Sequence, residues 1–182
     1  MPYPLYSRRL RIEPLASEDI DAFVAYRQIA EVARWQAWTP EFSRVDAEAL
    51  LEAQSSYNAV PPDGARLRLA VRPIDGLTLW GDVSFAATLG EPDSYELGAT
   101  VHPDHQGQGY AVEAVERLVQ FLFEDAKAHR LVAHCDHRNV GAAAVLDSVG
   151  FRRESHRVEA EFVKGEWVSV DGYALLAREY GR

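Results

Sequence analysis

His102-Pro103-Asp104-His105-Gln106-Gly107-Gln108-Gly109-Tyr110-Ala111 is the stretch on which the reading of this chain turns. Before it, Tyr95 to Val101 has the character of a strand and stops at His102-Pro103. After it, Ala111 to Ala128 is a long amphipathic pattern. Ala111, Ala114, Val115, Leu118, Val119 and Leu122 share one broad face, while Glu113, Glu116 and Arg117 mark the polar side. The stretch therefore joins a strand to a helix N-terminus, where the first amides lack internal acceptors and the peptide dipoles favour an anion. Gly107 and Gly109 let the backbone turn with its N–H groups inward, a shape suited to phosphate oxygens. The competing reading is a tight turn with no ligand.

Outward from this loop the pattern is strand-rich on one side. Arg66 to Val71 alternates, Pro73 to Gly76 turns, Leu77 to Ala86 continues as a strand, and Gly90 to Ser94 turns into Tyr95 to Val101. Three successive strands with short turns predict an antiparallel meander. On the other side, Arg130 to Cys135 is a strand, so strand, helix and strand form a crossover with parallel pairing. A short helix over Val140 to Ser148 ends at Gly150, and Lys164-Gly165 turns a final hairpin whose second arm is Trp167 to Leu176. At the N-terminus, Arg9 to Leu15 predicts a strand. Ser17 caps a helix running to about Ala30, and a second helix opens near Ser43 with Val45, Ala49, Leu50 and Ala53 as its spaced apolar positions. Tyr57 to Gly64 is a loop. The expected fold is α+β in three layers: a mixed, mostly antiparallel sheet, helices on both faces and one βαβ crossover, in a single domain over residues 1–182.

Composition narrows the function. The 182 residues suffice to bury about two thirds of the unfolded surface. Nineteen Lys and Arg against 28 Asp and Glu give a net charge of −9, which disfavours a nucleic-acid partner. The single cysteine, Cys135, excludes an intrachain disulfide and reads as a small buried residue. No apolar run approaches the length needed to span a bilayer, the N-terminus does not read as a signal peptide, and a cytoplasmic location is expected. His102, His105, His134 and His137 are split across two strand ends, so no metal is expected. A Walker loop would need Gly-Lys followed by Ser or Thr. A dinucleotide fingerprint would need a third glycine where Val112 stands.

Gln106-Gly107-Gln108-Gly109-Tyr110-Ala111 resembles the Gln/Arg-x-x-Gly-x-Gly/Ala signature of the GCN5-related N-acetyltransferase superfamily. His102-Pro103-Asp104 and Tyr110 to Ala114 resemble the branch that acetylates ribosomal-protein N-termini. Arg138-Asn139, Val145-Leu146, Gly150-Phe151 and Lys164-Gly165-Glu166-Trp167 agree, as does Leu10 to Leu15, so the resemblance spans nearly the whole chain. It implies acetyl-coenzyme A as cosubstrate, with its pyrophosphate on the backbone amides of Gln106, Gly107, Gln108, Gly109, Tyr110 and Ala111. The pantetheine arm would lie in a cleft between the strand ending at Val101 and the one ending near Cys135, against the backbone of Ala99 and Val101. Asn139 would bond the cofactor, cap the short helix, or do both.

Amine acetylation by a thioester requires a neutral amine, a polarised carbonyl and a proton for the thiolate. The Val101 N–H is the candidate for the oxyanion and Glu96 for the carboxylate beside the amine, as in the resembled family. Strand parity sets Glu96 with Gly98 and Thr100, opposite Tyr95, Leu97, Ala99 and Val101, unless a bulge intervenes. Trp35, Trp38 and Glu31 are candidates for the acceptor pocket, with Tyr57 and Tyr173 behind them, and core packing is an equal alternative for the tryptophans. Two departures stand out: Leu146 where many of these enzymes have a Tyr proton donor, and Ala142 where the ribosomal branch has Ser. The readings left open are transfer to a peptide N-terminal amine, transfer to a small-molecule amine, and a non-catalytic coenzyme A-binding module; a homodimer is also open.

Overall fold

The computed structural model describes residues 2–181. Its strands are β1 (Leu5–Tyr6), β2 (Leu10–Pro14), β3 (Arg66–Pro73), β4 (Gly81–Ala87), β5 (Ser94–Val101), β6 (Arg130–Asp136), β7 (Arg152–Val163) and β8 (Glu166–Leu176). Its helices are α1 (Ile20–Arg27), α2 (Ala30–Ala33), α3 (Arg44–Gln54), α4 (Tyr110–Glu124) and α5 (Val140–Val149). The strands form one eight-stranded sheet in the order β1-β2-β3-β4-β5-β6-β8-β7. Every neighbouring pair is antiparallel except β5–β6, which α4 connects as the expected crossover. The α+β, three-layer expectation holds.

Alternation along the strands sorts the two faces. Leu67, Leu69 and Val71 of β3, Val83 and Phe85 of β4, Tyr95 and Leu97 of β5, and Leu131 and Ala133 of β6 are all buried in one core with Ala114, Val115, Leu118 and Leu122 of α4. The opposite face carries a smaller core in which Phe23, Tyr26, Phe42 and Ala47 cover Ala70.

Several local readings change. Ser17 does not cap α1: its hydroxyl donates to Glu18 (3.2 Å), and Ser17–Asp19 form a 3-10 turn closed by the Asp19 carboxylate, which accepts from the Ala16 N–H (3.0 Å). α1 stops at Arg27 rather than Ala30, with α2 a separate short turn of helix. α3 opens after Ser43 as expected, with Ser43 as its cap; Leu50 packs against the smaller core, but Val45 is 72% exposed and the fully buried residues are Ala47 and Gln54. Gln54 is drawn in because its amide acts as a strand partner for Arg68, accepting from the Arg68 N–H (3.0 Å) and donating to the Arg68 carbonyl (3.2 Å). β4 begins at Gly81, not Leu77, and at Gly81 a Cβ would run into the Thr100 carbonyl of β5. α4 ends at Glu124, where the Lys127 ammonium caps the Glu124 carbonyl (2.6 Å) and Lys127 turns at positive φ. The short strand β1 is an addition to the sequence reading.

Leu118 is fully buried between α4 and the sheet. Leu118→Ala is expected to cost about 2–5 kcal/mol of stability, read as a lower urea midpoint at unchanged m value.

Candidate active site

The decisive geometry is where β5 and β6 part. Their parallel pairing covers only Ser94↔Arg130, Tyr95↔Leu131 and Glu96↔Val132; beyond these positions the strands are unpaired with each other. The β4–β5 ladder fixes what β5 shows to the opening. The Thr88 N–H donates to the Ser94 carbonyl (2.9 Å) and the His102 N–H to the Trp80 carbonyl (2.8 Å), so the even-numbered residues of β5 are the ones bonded to β4. Antiparallel bonding alternates, which turns the backbone N–H and C=O of Ala99 and Val101 away from β4 and into the gap. The Gln106 amide donates to the Val101 carbonyl (2.9 Å), leaving the Val101 N–H as the open group.

The loop sits at the mouth of this gap. Gly107 (φ 71°) and Gly109 (φ 80°) both lie in the left-handed region, and Gly109 is the N-cap of α4. Among the described residues, no acceptor meets the amides of Gly107, Gln108, Gly109, Tyr110 or Ala111. The Gln106 N–H is different: it donates to the Pro103 carbonyl (3.1 Å) in a 3-10 turn, which corrects its place among the free amides. A Cβ on Gly107 would meet nothing within 4 Å, so the cradle is open there. This unpaired set fits a diphosphate at a helix N-terminus.

Side chains lock the helix mouth from outside. Glu113 accepts from the Ser7 hydroxyl (2.8 Å), the Arg9 N–H (2.7 Å) and the Arg9 guanidinium (2.6 Å). Burial pushes its carboxyl up, but these bonds from Ser7 and Arg9 outweigh it and hold the group below the usual range. Arg9 also donates to the Gln108 carbonyl (3.1 Å) and lies 4.4 Å over the Tyr110 ring, whose centroid is 4.7 Å from that of Trp80.

On the opposite face of β5, parity holds as the alternation predicts, with no bulge in the β4–β5 register. Glu96 stands at the last paired position before the gap, with its Oε1 3.5 Å from Arg66 and 3.9 Å from His134. His134 first, and Arg66 with it, overcome the effect of burial and keep this carboxyl below its ordinary value. At 3.9 Å the His134 contact is electrostatic rather than a hydrogen bond. Arg66 was not singled out from sequence, and His134 was named only within the histidine group, without Glu96 as its neighbour. Their alternation puts them on a face, but only the register across three strands places Arg66 beside Glu96.

Asn139 caps α5, its Oδ1 accepting from the Ala142 N–H (3.0 Å), so its amide nitrogen is the half left for a ligand. Trp38 is structural: its indole donates to the Arg27 carbonyl (3.2 Å), and the Arg27 guanidinium lies 3.6 Å from its ring centre. Trp35 is half-buried under Arg34, and Glu31 is exposed on α2; among the described residues no hydrogen bond or ion pair joins either to Glu96. Tyr57 packs against the larger core, whereas Tyr173 and Leu146 are buried within it on the α4–α5 face. Of the four histidines, His105 stacks on Trp80 (4.4 Å) and lies 5.8 Å from His102. His137 joins His156, which the reading did not pair with it. Each imidazole meets one oxygen of buried Asp171, at 2.9 and 2.6 Å, and the three donors lie close enough to hold a cation. Cys135 is half-buried, its thiol pushed up to about 11 first by burial and then by Asp171.

A family model described as an acetyltransferase (GNAT) domain matches residues 9–152, and the chain belongs to that family. The reaction it catalyses is acetyl transfer from acetyl-CoA to an amine. Among similar proteins, the uncharacterized N-acetyltransferase YnaD of Bacillus subtilis is 28% identical over 176 residues, 96% of this chain and 97% of the relative. The spermidine N(1)-acetyltransferase of Vibrio cholerae is 27% identical over 133 residues, 73% of this chain and 76% of the relative. A crystal structure of spermidine N-acetyltransferase from Vibrio cholerae, in complex with CoA and spermine, shares the fold with a TM-score of 0.83 at 22% identity, covering 97% of this chain and 100% of that one. The likeness therefore extends beyond the ribosomal branch, which corrects the narrower resemblance. No helix among the described residues is long and apolar enough to cross a membrane.

Two outcomes are expected. Gly107→Ala forces a side chain into the left-handed region at about 1–2 kcal/mol and disturbs the cradle, so coenzyme A affinity by calorimetry falls roughly tenfold. Asp171 feels burial, which raises its pKa, but bonds to His137 and His156 prevail and bring it to about 2, against 3.8 ordinarily. A depressed carboxyl contributes stability above its unfolded value and loses it as pH falls. Thermal melts between pH 5 and pH 2 should thus show a smaller acid loss in Asp171→Asn than in the parent.

Proposed function

We propose that this enzyme acetylates a primary amine of a small molecule, rather than a ribosomal-protein N-terminus, by direct attack within a ternary complex. The observation that carries the reading is the opening between β5 and β6, with the backbone of Ala99 and Val101 turned into it and unpaired amides at its mouth. The small-molecule preference draws support from the spermidine acetyltransferase among the relatives.

Acetyl-CoA supplies the activated acetyl group. The amides of Gly107, Gln108, Gly109, Tyr110 and Ala111 would hold its diphosphate, and the Asn139 amide nitrogen and the Ala99 backbone would line the arm's path. The Val101 N–H would serve as the donor to the oxygen on which negative charge develops. A fixed donor of this kind is worth far more than a mobile one, because it needs no reorganisation during the reaction. Glu96 reaches the same gap from the other face and meets the amine. Because its neighbours hold it ionised, its part is to orient the amine and to take up or pass on a proton through water. The amine loses two protons on its way from ammonium to amide; both leave to solvent by way of Glu96 and water, and solvent returns one to the departing thiolate. Neither Leu146 nor Ala142 can donate, so solvent serves the thiolate, whose ordinary pKa near 8.5 makes it a fair leaving group. No step calls for a metal.

Glu96→Gln tests the assignment. Its kcat/KM for thiol release should drop roughly 100-fold, within the range of general acid–base catalysis, while coenzyme A binding is retained. Wild-type turnover in that variant would remove Glu96 from the mechanism.

A further inference from the structure

Glu96 does not stand alone on its face of the sheet. The Arg66 guanidinium donates from Nη1 to the Ser84 hydroxyl (3.1 Å) and sets Nη2 3.5 Å from Glu96 Oε1. The same Nη1 lies 3.6 Å from where a Cβ on Gly98 would be. Gly98 is two residues beyond Glu96 on β5, past the last position paired with β6. One end of the guanidinium therefore occupies the space a side chain at position 98 would take, past the last position paired with β6 and next to Glu96.

This ion pair is built to be opened. Its side chains are 29% and 43% exposed, and it has one contact longer than a hydrogen bond, an arrangement worth little in water. Apart from the donor given to Ser84, the guanidinium's N–H groups have no hydrogen-bond acceptor among the described residues. Cation also outweighs anion nearby. Arg68, two residues along β3 on the same face, and buried Arg27 share the single carboxylate of Asp82, at 3.4 and 3.2 Å, and the Nε of each is buried without a partner. Three guanidiniums thus face two carboxylates. A second ammonium arriving here meets Arg66 and is repelled. A carboxylate arriving here matches the planar fork of the guanidinium.

We infer that the acceptor is an amine with a carboxylate beside it, as in an α-amino acid, its nitrogen on Glu96 and its carboxylate on Arg66. Such a zwitterion exchanges one loose protein ion pair for two pairs with the substrate and leaves the net charge of the cluster unchanged, whereas a second ammonium would add to its excess of cations. This inference rests on the transferase reading above and narrows its acceptor.

The test is acetyl-CoA-dependent thiol release with α-amino acids, the corresponding α-amino amides, and spermidine. Acids should exceed their matched amides in kcat/KM by roughly 10- to 100-fold, the value of a charge-assisted bond. Arg66→Met should collapse that ratio by raising the KM of the acids rather than lowering their kcat, and Arg66→Lys should restore part of it. A coenzyme A-induced rise in melting temperature shows that each variant is folded. Amides or spermidine used as well as the acids, or an acid preference that survives Arg66→Met, overturns the inference and leaves the transferase reading standing. Absence of turnover with every amine, despite coenzyme A binding, overturns both.

Discussion

The structure depends on an interruption. A parallel strand pair ordinarily satisfies its backbone along its whole length, yet β5 and β6 stay together for only three positions. Past Glu96 the strands diverge, and the backbone of Ala99 and Val101 is left without a strand partner. Unpaired backbone groups are costly when buried; here they line an opening that a ligand can enter. The flanking pairings keep this arrangement in place, since β4 holds one edge of β5 and β8 holds the far edge of β6 over its full length.

The gap also lets the two faces of the sheet specialise. One face is filled by α4 and the large core, and the free amides at the α4 N-terminus belong to that side. The other carries a strip of arginines and carboxylates along β3, β4 and β5, roofed in part by α1 and α3. Two ligands of different chemistry can thus approach one point from opposite sides without competing for the same surface. The Lys164 ammonium at the β7–β8 turn donates to the Gln36 carbonyl (2.7 Å) and to that of Ala33, so the hairpin is strapped to the segment after α2.

The loop, the crossover, the caps at Ser43 and Asn139 and the left-handed stop at Gly150 were legible because each is written in contiguous residues. Gly107 and Gly109 are needed for backbone angles, and the α4 stripe has one clear period. What escaped the sequence depended on register. Arg66 meets Glu96 only because Ala86 of β4 lies between them, opposite both. His137 meets His156 through Asp171, which the pairings of β6 and β7 with β8 bring together from two strands and the turn after β6. Trp38 stood evenly between pocket wall and core packing because nothing local reveals that Arg27 is buried and takes an aromatic cover. The α3 face was misread for a similar reason: the spacing fitted Val45, but the backbone of Arg68 recruited Gln54 inward.

The helix mouth has a consequence for inheritance. Its groups are main-chain amides, which every residue except proline possesses. Changes at Gln108 or Ala111 can therefore rewrite the local text while leaving the main-chain donors in place. The backbone itself ties down two letters, the glycines whose dihedral angles aim the amides. A lineage can lose most of its spelling at this spot and still present the same nest.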